Sequence, residues 1–330
     1  MTVSIIIPCH NGQDFIADAI ASAMAQTHRD IEIVVIDDAS TDESGRIIRQ
    51  LAAHDPRIKA FFLETNVGAA AARNSGISLA NGEWVAFLDA DDLYEADRIE
   101  QLLKVAAATD AEIVMDRQHV RDFSTDIDSF LSFEFLAGSD PIVISPELYF
   151  LESSVFHREP NIGYMKPMFR RRYLLENGLG FDEKYKVGED ISLQIECICR
   201  GARLVGTPYA GYIYRRRPAS LSREDAAAST LRPLAAMCDE ILERHGTALS
   251  KTASRLIRKR KRILERFIAL SEFAAAARAG AFGRCCRIAV RRPDMLLLAP
   301  ILVRKWSARL SRRLRSGRTQ RDELATSAAG

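Results

Sequence analysis

Four short apolar runs, each followed by a stretch with helical spacing, fill the chain up to Ala108, and that alternation leaves few folds open. Ser4-Ile5-Ile6-Ile7-Pro8 reads as a buried strand closed by proline, after which Phe15, Ile16, Ala19, Ile20, Ala23 and Met24 recur on one helical face. Ile31 to Ile36 is a second strand, ending in Asp37-Asp38. Ser40, with Glu43 three residues later, predicts a capping-box start to a helix carrying Ile47, Ile48 and Leu51. Ile58 to Leu63 predicts a third strand, Gly68 to Ala80 an Ala-rich helix, Trp84 to Leu88 a fourth strand and Ala96 to Ala108 the next helix. No hairpin signal interrupts the series. Strands apolar along their whole length and joined by helices predict an α/β fold, a mostly parallel sheet covered by helices on both faces.

In such a sheet ligands bind beyond the carboxyl ends of the strands. Those ends carry Pro8-Cys9-His10-Asn11, Asp37-Asp38 and Asp89-Ala90-Asp91-Asp92, so acidic groups from separate strands converge on one edge. Any one of these aspartates could be only a helix cap or turn former. The set is harder to explain that way, because like charges packed this closely repel. A hard divalent cation would relieve the repulsion, since magnesium takes one or two protein carboxylates together with substrate phosphates. The first strand–helix turn, Pro8-Cys9-His10-Asn11-Gly12, has neither the dinucleotide glycine fingerprint nor a phosphate-loop lysine. Phosphate held by a metal is therefore favoured over phosphate cradled by backbone.

From about residue 117 to 160 the pattern is irregular, and a variable or acceptor-side segment is expected there. Regularity returns over Met165 to Asn177. Gly188-Glu189-Asp190 then opens a helix with Ile191, Ile195 and Ile198 on one side, and two strand-like pieces follow, Ala202 to Thr207 and Gly211 to Tyr214.

The stretches SIIIPCHNGQDFIADAIASAMAQTH, EIVVIDDASTDES, NVGAAAARNSGI, WVAFLDADD and GFDEKYKVGEDISL occur in the order and approximate spacing of family 2 glycosyltransferases, which the chain resembles over roughly residues 1–220. The resemblance implies the GT-A fold, a Rossmann-like sheet, and an inverting enzyme that uses a nucleotide-sugar donor. It implies that Pro8, Asp38 and Arg73 surround the nucleoside, usually uridine, that Asp89 lies near the ribose, and that Asp91 holds a Mg2+ or Mn2+ bridging the diphosphate. Asp190 would be the catalytic base. Without the resemblance, Arg73 would pass for an ordinary exposed helix residue and Glu189-Asp190 for a first-turn charge pair. Arg215 to Arg217, followed by Ser220 and Ser222, resembles the segment that closes over the diphosphate, making Arg217 and Ser220 phosphate contacts. Many relatives have a histidine near here that ligates the metal; this chain has none between His157 and His245. Lys166 has a claim on the acceptor side, and His10 reads as a loop residue.

Charge divides the chain. Residues 251–320 hold 20 Lys and Arg against 3 Asp and Glu, whereas residues 1–250 hold 25 against 39. Residues 1–220 are accordingly expected to form the catalytic domain, with 1–116 the nucleotide-binding half and 117–220 the acceptor and catalytic-base half, and 221–330 a helical basic tail. Within the tail, Arg255 to Leu270 places apolar residues at helical spacing among cations. Met295 to Val303 is apolar but far short of the roughly 20 residues that span a bilayer. Apolar residues bounded by Arg, with Trp306 nearby, suit an anionic membrane surface; packing of a basic face on the acidic body is the alternative. Nucleic acid is not expected as a partner, since stacking aromatics are sparse. The six cysteines lack metal-finger spacing and read as reduced thiols. No secretory signal follows Met1, so the expected location is cytoplasmic, peripheral to the inner face of the membrane.

The expected reaction is transfer of a hexose, glucose from UDP-glucose, in β linkage to a polyprenyl-diphosphate-linked oligosaccharide or other surface glycan. The rivals are a sugar-nucleotide nucleotidyltransferase and a non-catalytic scaffold recruited to the membrane.

Overall fold

The computed structural model describes residues 1–122, 130–153, 162–216 and 228–298. The chain divides into two compact units, one of residues 1–224 with 236–261 and one of residues 225–235 with 262–330.

The first unit opens with strict alternation: β1 (Val3–Cys9), α1 (Ile16–Met24), β2 (Ile31–Asp37), α2 (Ser44–His54), β3 (Ile58–Phe62), α3 (Ala69–Leu79) and β4 (Trp84–Phe87). There follow β5 (Leu93–Tyr94), α4 (Arg98–Thr109), β6 (Ile113–Asp122), β7 (Phe130–Leu131), β8 (Ile142–Val143), α5 (Pro146–Glu152), β9 (Met168–Arg170), α6 (Arg171–Glu176), α7 (Glu189–Cys199) and β10 (Leu204–Arg216). The sheet runs β3-β2-β1-β4-β9-β6-β10-β5, with β7 beside β6 and β8 beside β10. The six long strands all point one way; the reversed ones, β5, β7, β8 and β9, are two or three residues each. The expected mostly parallel α/β sheet is what forms.

Register fixes the site. β1 pairs with β2 from Val3↔Ile31 to Cys9↔Asp37 and with β4 from Val3↔Trp84 to Ile6↔Phe87. Pro8, Asp38 and Asp89 therefore leave the sheet along the same edge. Central strands are covered on both faces, which is why all seven β2 residues are buried. Helix α3 approaches β1 closely because its inner face is built from Ala70, Ala72 and Gly76. A Cβ on Gly76 would sit 2.3 Å from Cγ2 of Ile6, itself fully buried. Gly76→Ala should thus destabilise the unit by about 1–3 kcal/mol despite its better helix propensity, read as a lower urea midpoint. A midpoint at or above wild type would show that the helix can shift outward.

Two local expectations change. Helix α2 begins at Ser44, not near Ser40, because Ser40 Oγ accepts the Asn11 N–H and Asp42 takes the Ser44 N–H at 2.9 Å. The two strand-like pieces are a single strand, β10, whose register against β6 shifts between Thr207 and Ala210 and again before Tyr212. Those irregularities absorb Pro208, which cannot donate to a ladder.

Further helices are α8 (Ala228–His245), α9 (Lys251–Arg278) and α10 (Phe282–Arg291), followed by a 3-10 turn at Pro293–Leu298. In the second unit Arg232 pairs with Glu272, and Arg266 and Arg292 each bond Asp294 at 3.0 Å. Cys285, Met295 and Leu298 are buried there, so part of the apolar run beginning at Met295 goes to packing within the protein. Residues 299–303 and Trp306 lie outside the described residues.

Candidate active site

The edge is assembled by loops tied to one another. Asn11, at φ 51°, accepts the Thr41 N–H at 2.8 Å, and Gly12 N donates to Ser44 Oγ at 2.8 Å. His10 is exposed, its Nδ1 2.7 Å from the Asp38 carbonyl, as befits a loop residue. Pro8 is half-buried at the end of β1, and burial pushes the Cys9 thiol beside it up to about 11. Asp38 is buried and accepts the N–H groups of Val67 and Gly68 at 2.7 and 2.9 Å, which fixes the turn into α3. Each of its oxygens retains a lone pair for a ligand.

Arg73 is not an exposed helix residue. Its guanidinium, 4% exposed, spans Asp89 at 2.7 Å and Glu189 at 2.8 Å, with Asp190 Oδ1 at 4.0 Å, and stacks 5.3 Å from the Phe181 ring. Burial opposes its charge, but Asp89, Asp190 and Glu189 more than offset that and raise its pKa. Lys166 is the second cation. Its Nζ lies 2.9 Å from Asp89 Oδ2 and 2.6 Å from Asp190 Oδ2. The reason is topological: β9 runs antiparallel to β4, Trp84↔Arg170 and Ala86↔Met168, and the same register continued sets Lys166 beside Leu88, next to Asp89. The fold seats Lys166 between two of the proposed site carboxylates, Asp89 and the acceptor-side Asp190.

Glu189 and Asp190 begin α7, behind Gly188 at φ 92°, a left-handed conformation that glycine adopts without a Cβ penalty. Three carboxylates, Asp89, Glu189 and Asp190, thus face two cations. Burial would raise Asp89, but Lys166 and Arg73 outweigh it and hold the carboxyl well below the usual range. Glu189 goes the other way, raised by burial and by Asp190.

Asp91 and Asp92 complete the run. Asp92 is buried, accepts the Tyr212 hydroxyl at 2.7 Å and the Arg215 N–H at 2.8 Å, and is raised by burial together with Asp91 and Asp89. Arg215 Nε also bonds the Asp91 carbonyl and its NH1 reaches Asp18 at 3.1 Å, so the end of β10 is laced to this loop. Asp91 is half-buried. Among the described residues no three His, Cys, Asp or Glu gather closely enough to cage an ion. An ion such as magnesium, which takes one or two protein carboxylates with substrate phosphates, needs no such cage, and Asp91 offers one carboxylate. Arg217 and Ser220 lie outside the described residues.

Sequence alone placed Asp92 on this edge and Arg215 in the segment near it, but did not reveal Tyr212 or the bonds of Asp92 to Tyr212 and Arg215, which depend on the bulged course of β10.

The sequence model of the family described as Glycosyl transferase family 2 matches residues 4–176. The chain belongs to that family. The succinoglycan biosynthesis protein ExoO of Rhizobium meliloti is 40% identical over 223 residues, 67% of this chain and 62% of ExoO, so the match spans less than two thirds of that relative's length. The succinoglycan biosynthesis protein ExoU of the same organism is 32% identical over 305 residues, 89% of this chain and 84% of ExoU. Among solved structures, S. aureus TarS in complex with UDP-GlcNAc superposes with a TM-score of 0.61 at 17% identity, covering 89% of this chain and 92% of that one. A mannosyltransferase from Pyrobaculum calidifontis in complex with GDP-Man and Mn2+ gives 0.58 at 19%, covering 93% and 83%. At such identities the likeness establishes the fold. Family membership sets aside the nucleotidyltransferase rival. The matched region contains Pro8, Asp38, Arg73, Asp89, Asp91 and Lys166 and ends before Asp190.

Proposed function

We propose that this chain is an inverting glycosyltransferase of exopolysaccharide assembly. It moves a hexose, glucose from UDP-glucose, in β linkage onto a polyprenyl-diphosphate-linked oligosaccharide or another growing surface glycan. The observation that carries the reading is the ion cluster: Arg73 of α3 and Asp89 after β4 meet Asp190 of α7, more than a hundred residues farther along the chain, at the carboxyl edge of the sheet. Similarity to two proteins named for succinoglycan biosynthesis supports the polysaccharide product. The UDP-GlcNAc and GDP-Man complexes of the structural neighbours support a nucleotide-sugar donor.

Pro8, Asp38 and Arg73 receive the nucleoside and Asp89 the ribose, with Arg217 and Ser220 assigned to the phosphates by the family resemblance alone. Asp91 would hold Mg2+ or Mn2+, which when bound stabilises the departing diphosphate as a Lewis acid. Asp190 takes the proton of the acceptor hydroxyl as that oxygen attacks the anomeric carbon. Its Oδ2 bonds Lys166, while Oδ1, 4.0 Å from Arg73, is left to face the acceptor. No described helix is long and apolar enough to cross a membrane, and the basic residues of 251–330 are assigned to holding the enzyme at the inner, anionic membrane face.

Titration calorimetry with UDP in the presence of Mn2+ tests the donor site. The wild type should bind UDP in a Mn2+-dependent way. Asp91→Asn should weaken that binding at least as much as the roughly 10–100-fold seen on losing outer-shell metal partners, with Mn2+-free binding unchanged. Absence of Mn2+-dependent uptake of UDP or GDP by the wild type would sink the reading.

A further inference from the structure

The second unit presents a surface that the proposed reaction does not use. Helix α10 has three distinct faces. Cys285 turns inward, its Sγ 3.8 Å from the Phe273 carbonyl of α9. Phe282, Cys286 and Val290 are spaced four apart and share an outer face, with Phe282 77% and Val290 81% exposed. Arg284, Arg287 and Arg291 form the adjoining exposed strip. Beyond the helix, Leu296 and Leu297 are 62% and 64% exposed. Large apolar side chains are seldom left in water in such a group without a purpose.

The charge around them is of one sign. No acidic residue occurs between Glu272 and Asp294, and those two are paired with Arg232 and with Arg266 and Arg292. Arg278, Arg284, Arg287 and Arg291 make no ion pair with a carboxylate among the described residues. A short helix with an apolar strip beside an Arg strip lies in the plane of a membrane interface, and at ten residues it is far too short to span one.

We infer that the exposed face of α10, together with Leu296 and Leu297, docks on an anionic bilayer. Phe282 and Val290 enter the boundary between headgroups and acyl chains, and Arg284, Arg287 and Arg291 meet the lipid phosphates. This deepens the membrane assignment above and rests on it for the choice of a lipid partner. It extends the anchor from the Met295–Val303 run, to which Leu296 and Leu297 belong, to a helix that the sequence pattern did not single out.

Flotation of the full chain with two kinds of vesicle tests it: phosphatidylcholine alone, and phosphatidylcholine mixed with phosphatidylglycerol. The wild type should float only with the mixed vesicles, and less so as salt rises. The double variant Phe282→Asp, Val290→Asp should lose about tenfold in partitioning, since it removes two buried apolar groups and places carboxylates against anionic lipid. Arg284→Gln, Arg287→Gln, Arg291→Gln should lose the preference for phosphatidylglycerol. Equal flotation of wild type and double variant would overturn the inference, as would absence of wild-type flotation. A wild type that is dimeric by light scattering, does not float, and becomes monomeric in the double variant would assign the face to a second copy instead. UDP titration on the same samples controls for folding and is a separate readout: the donor reading can fail there while flotation succeeds, and the reverse.

Discussion

Asp190→Asn should stop sugar transfer, lowering kcat by about 10²–10⁴-fold, the range a positioned general base contributes, while UDP affinity stays nearly unchanged. The fall corresponds to roughly 3–5 kcal/mol of lost transition-state stabilisation. The substitution is well matched to its surroundings. The amide keeps the volume of the carboxyl, and its oxygen can still accept from Lys166, which remains bonded to Asp89 at 2.9 Å. Three carboxylates facing two cations become two facing two, with Arg73 still held by Asp89 and Glu189, so no cation of the cluster loses its last counter-ion. What disappears is the ability to take a proton from the acceptor. UDP release with acceptor present measures kcat, and calorimetry measures UDP affinity. A variant that transfers sugar at the wild-type rate would move the base elsewhere, Glu189 being the neighbour already raised by burial and by Asp190. A variant that no longer binds UDP would place Asp190 in the donor site. Unchanged cellular function of both Asp91→Asn and Asp190→Asn would favour the scaffold rival.

The strand–helix series was legible because a strand covered on both faces must be apolar at almost every position, as β1 and β2 are. It was also legible where each strand ends, and hence where Pro8, Asp38, Asp89 and Asp91 gather. The reversed strands were not. Two or three residues of β5 or β9 leave no period to detect, yet β9 is what carries Lys166 to Asp89. The pairing of Arg73 with Glu189 links positions 116 apart, and no spacing rule connects them. Capping failed for a related reason. Ser40 and Glu43 satisfy the local pattern, but the β1 loop also needs partners, and Asn11 engages Ser40 and Thr41 before the helix can. Local propensity lost to tertiary hydrogen bonding.

The largest stability effect is expected at a pair that no motif marks. Arg98, at the start of α4, is fully buried, and so is Asp116 of β6. Arg98 Nε and NH2 donate to the two oxygens of Asp116 at 2.9 and 2.7 Å, and NH2 also donates to the Lys166 carbonyl at 2.6 Å. The guanidinium lies 4.3 Å from the Tyr94 ring centre and 5.3 Å from that of Tyr212, and the Gly211 N–H adds a bond to Asp116 at 3.0 Å. Gly211 has no room for a side chain, since a Cβ there would meet Arg98 Cγ at 2.7 Å. Burial opposes the Arg98 charge and Asp116 offsets it, so removing Asp116 leaves a cation with no counter-ion in a dry site. Asp116→Ala should therefore cost about 3–5 kcal/mol, read as a lowered urea midpoint. Arg98→Met combined with Asp116→Leu removes both charges and refills the space, so it should recover most of that loss. Recovery of stability should not restore activity, because without Arg98 the Lys166 backbone loses its anchor, and with it the cation that orders Asp89 and Asp190. A single variant unfolding within about 1 kcal/mol of wild type would mean water reaches Arg98. A stable double variant with full transfer rate would mean β9 positions Lys166 unaided.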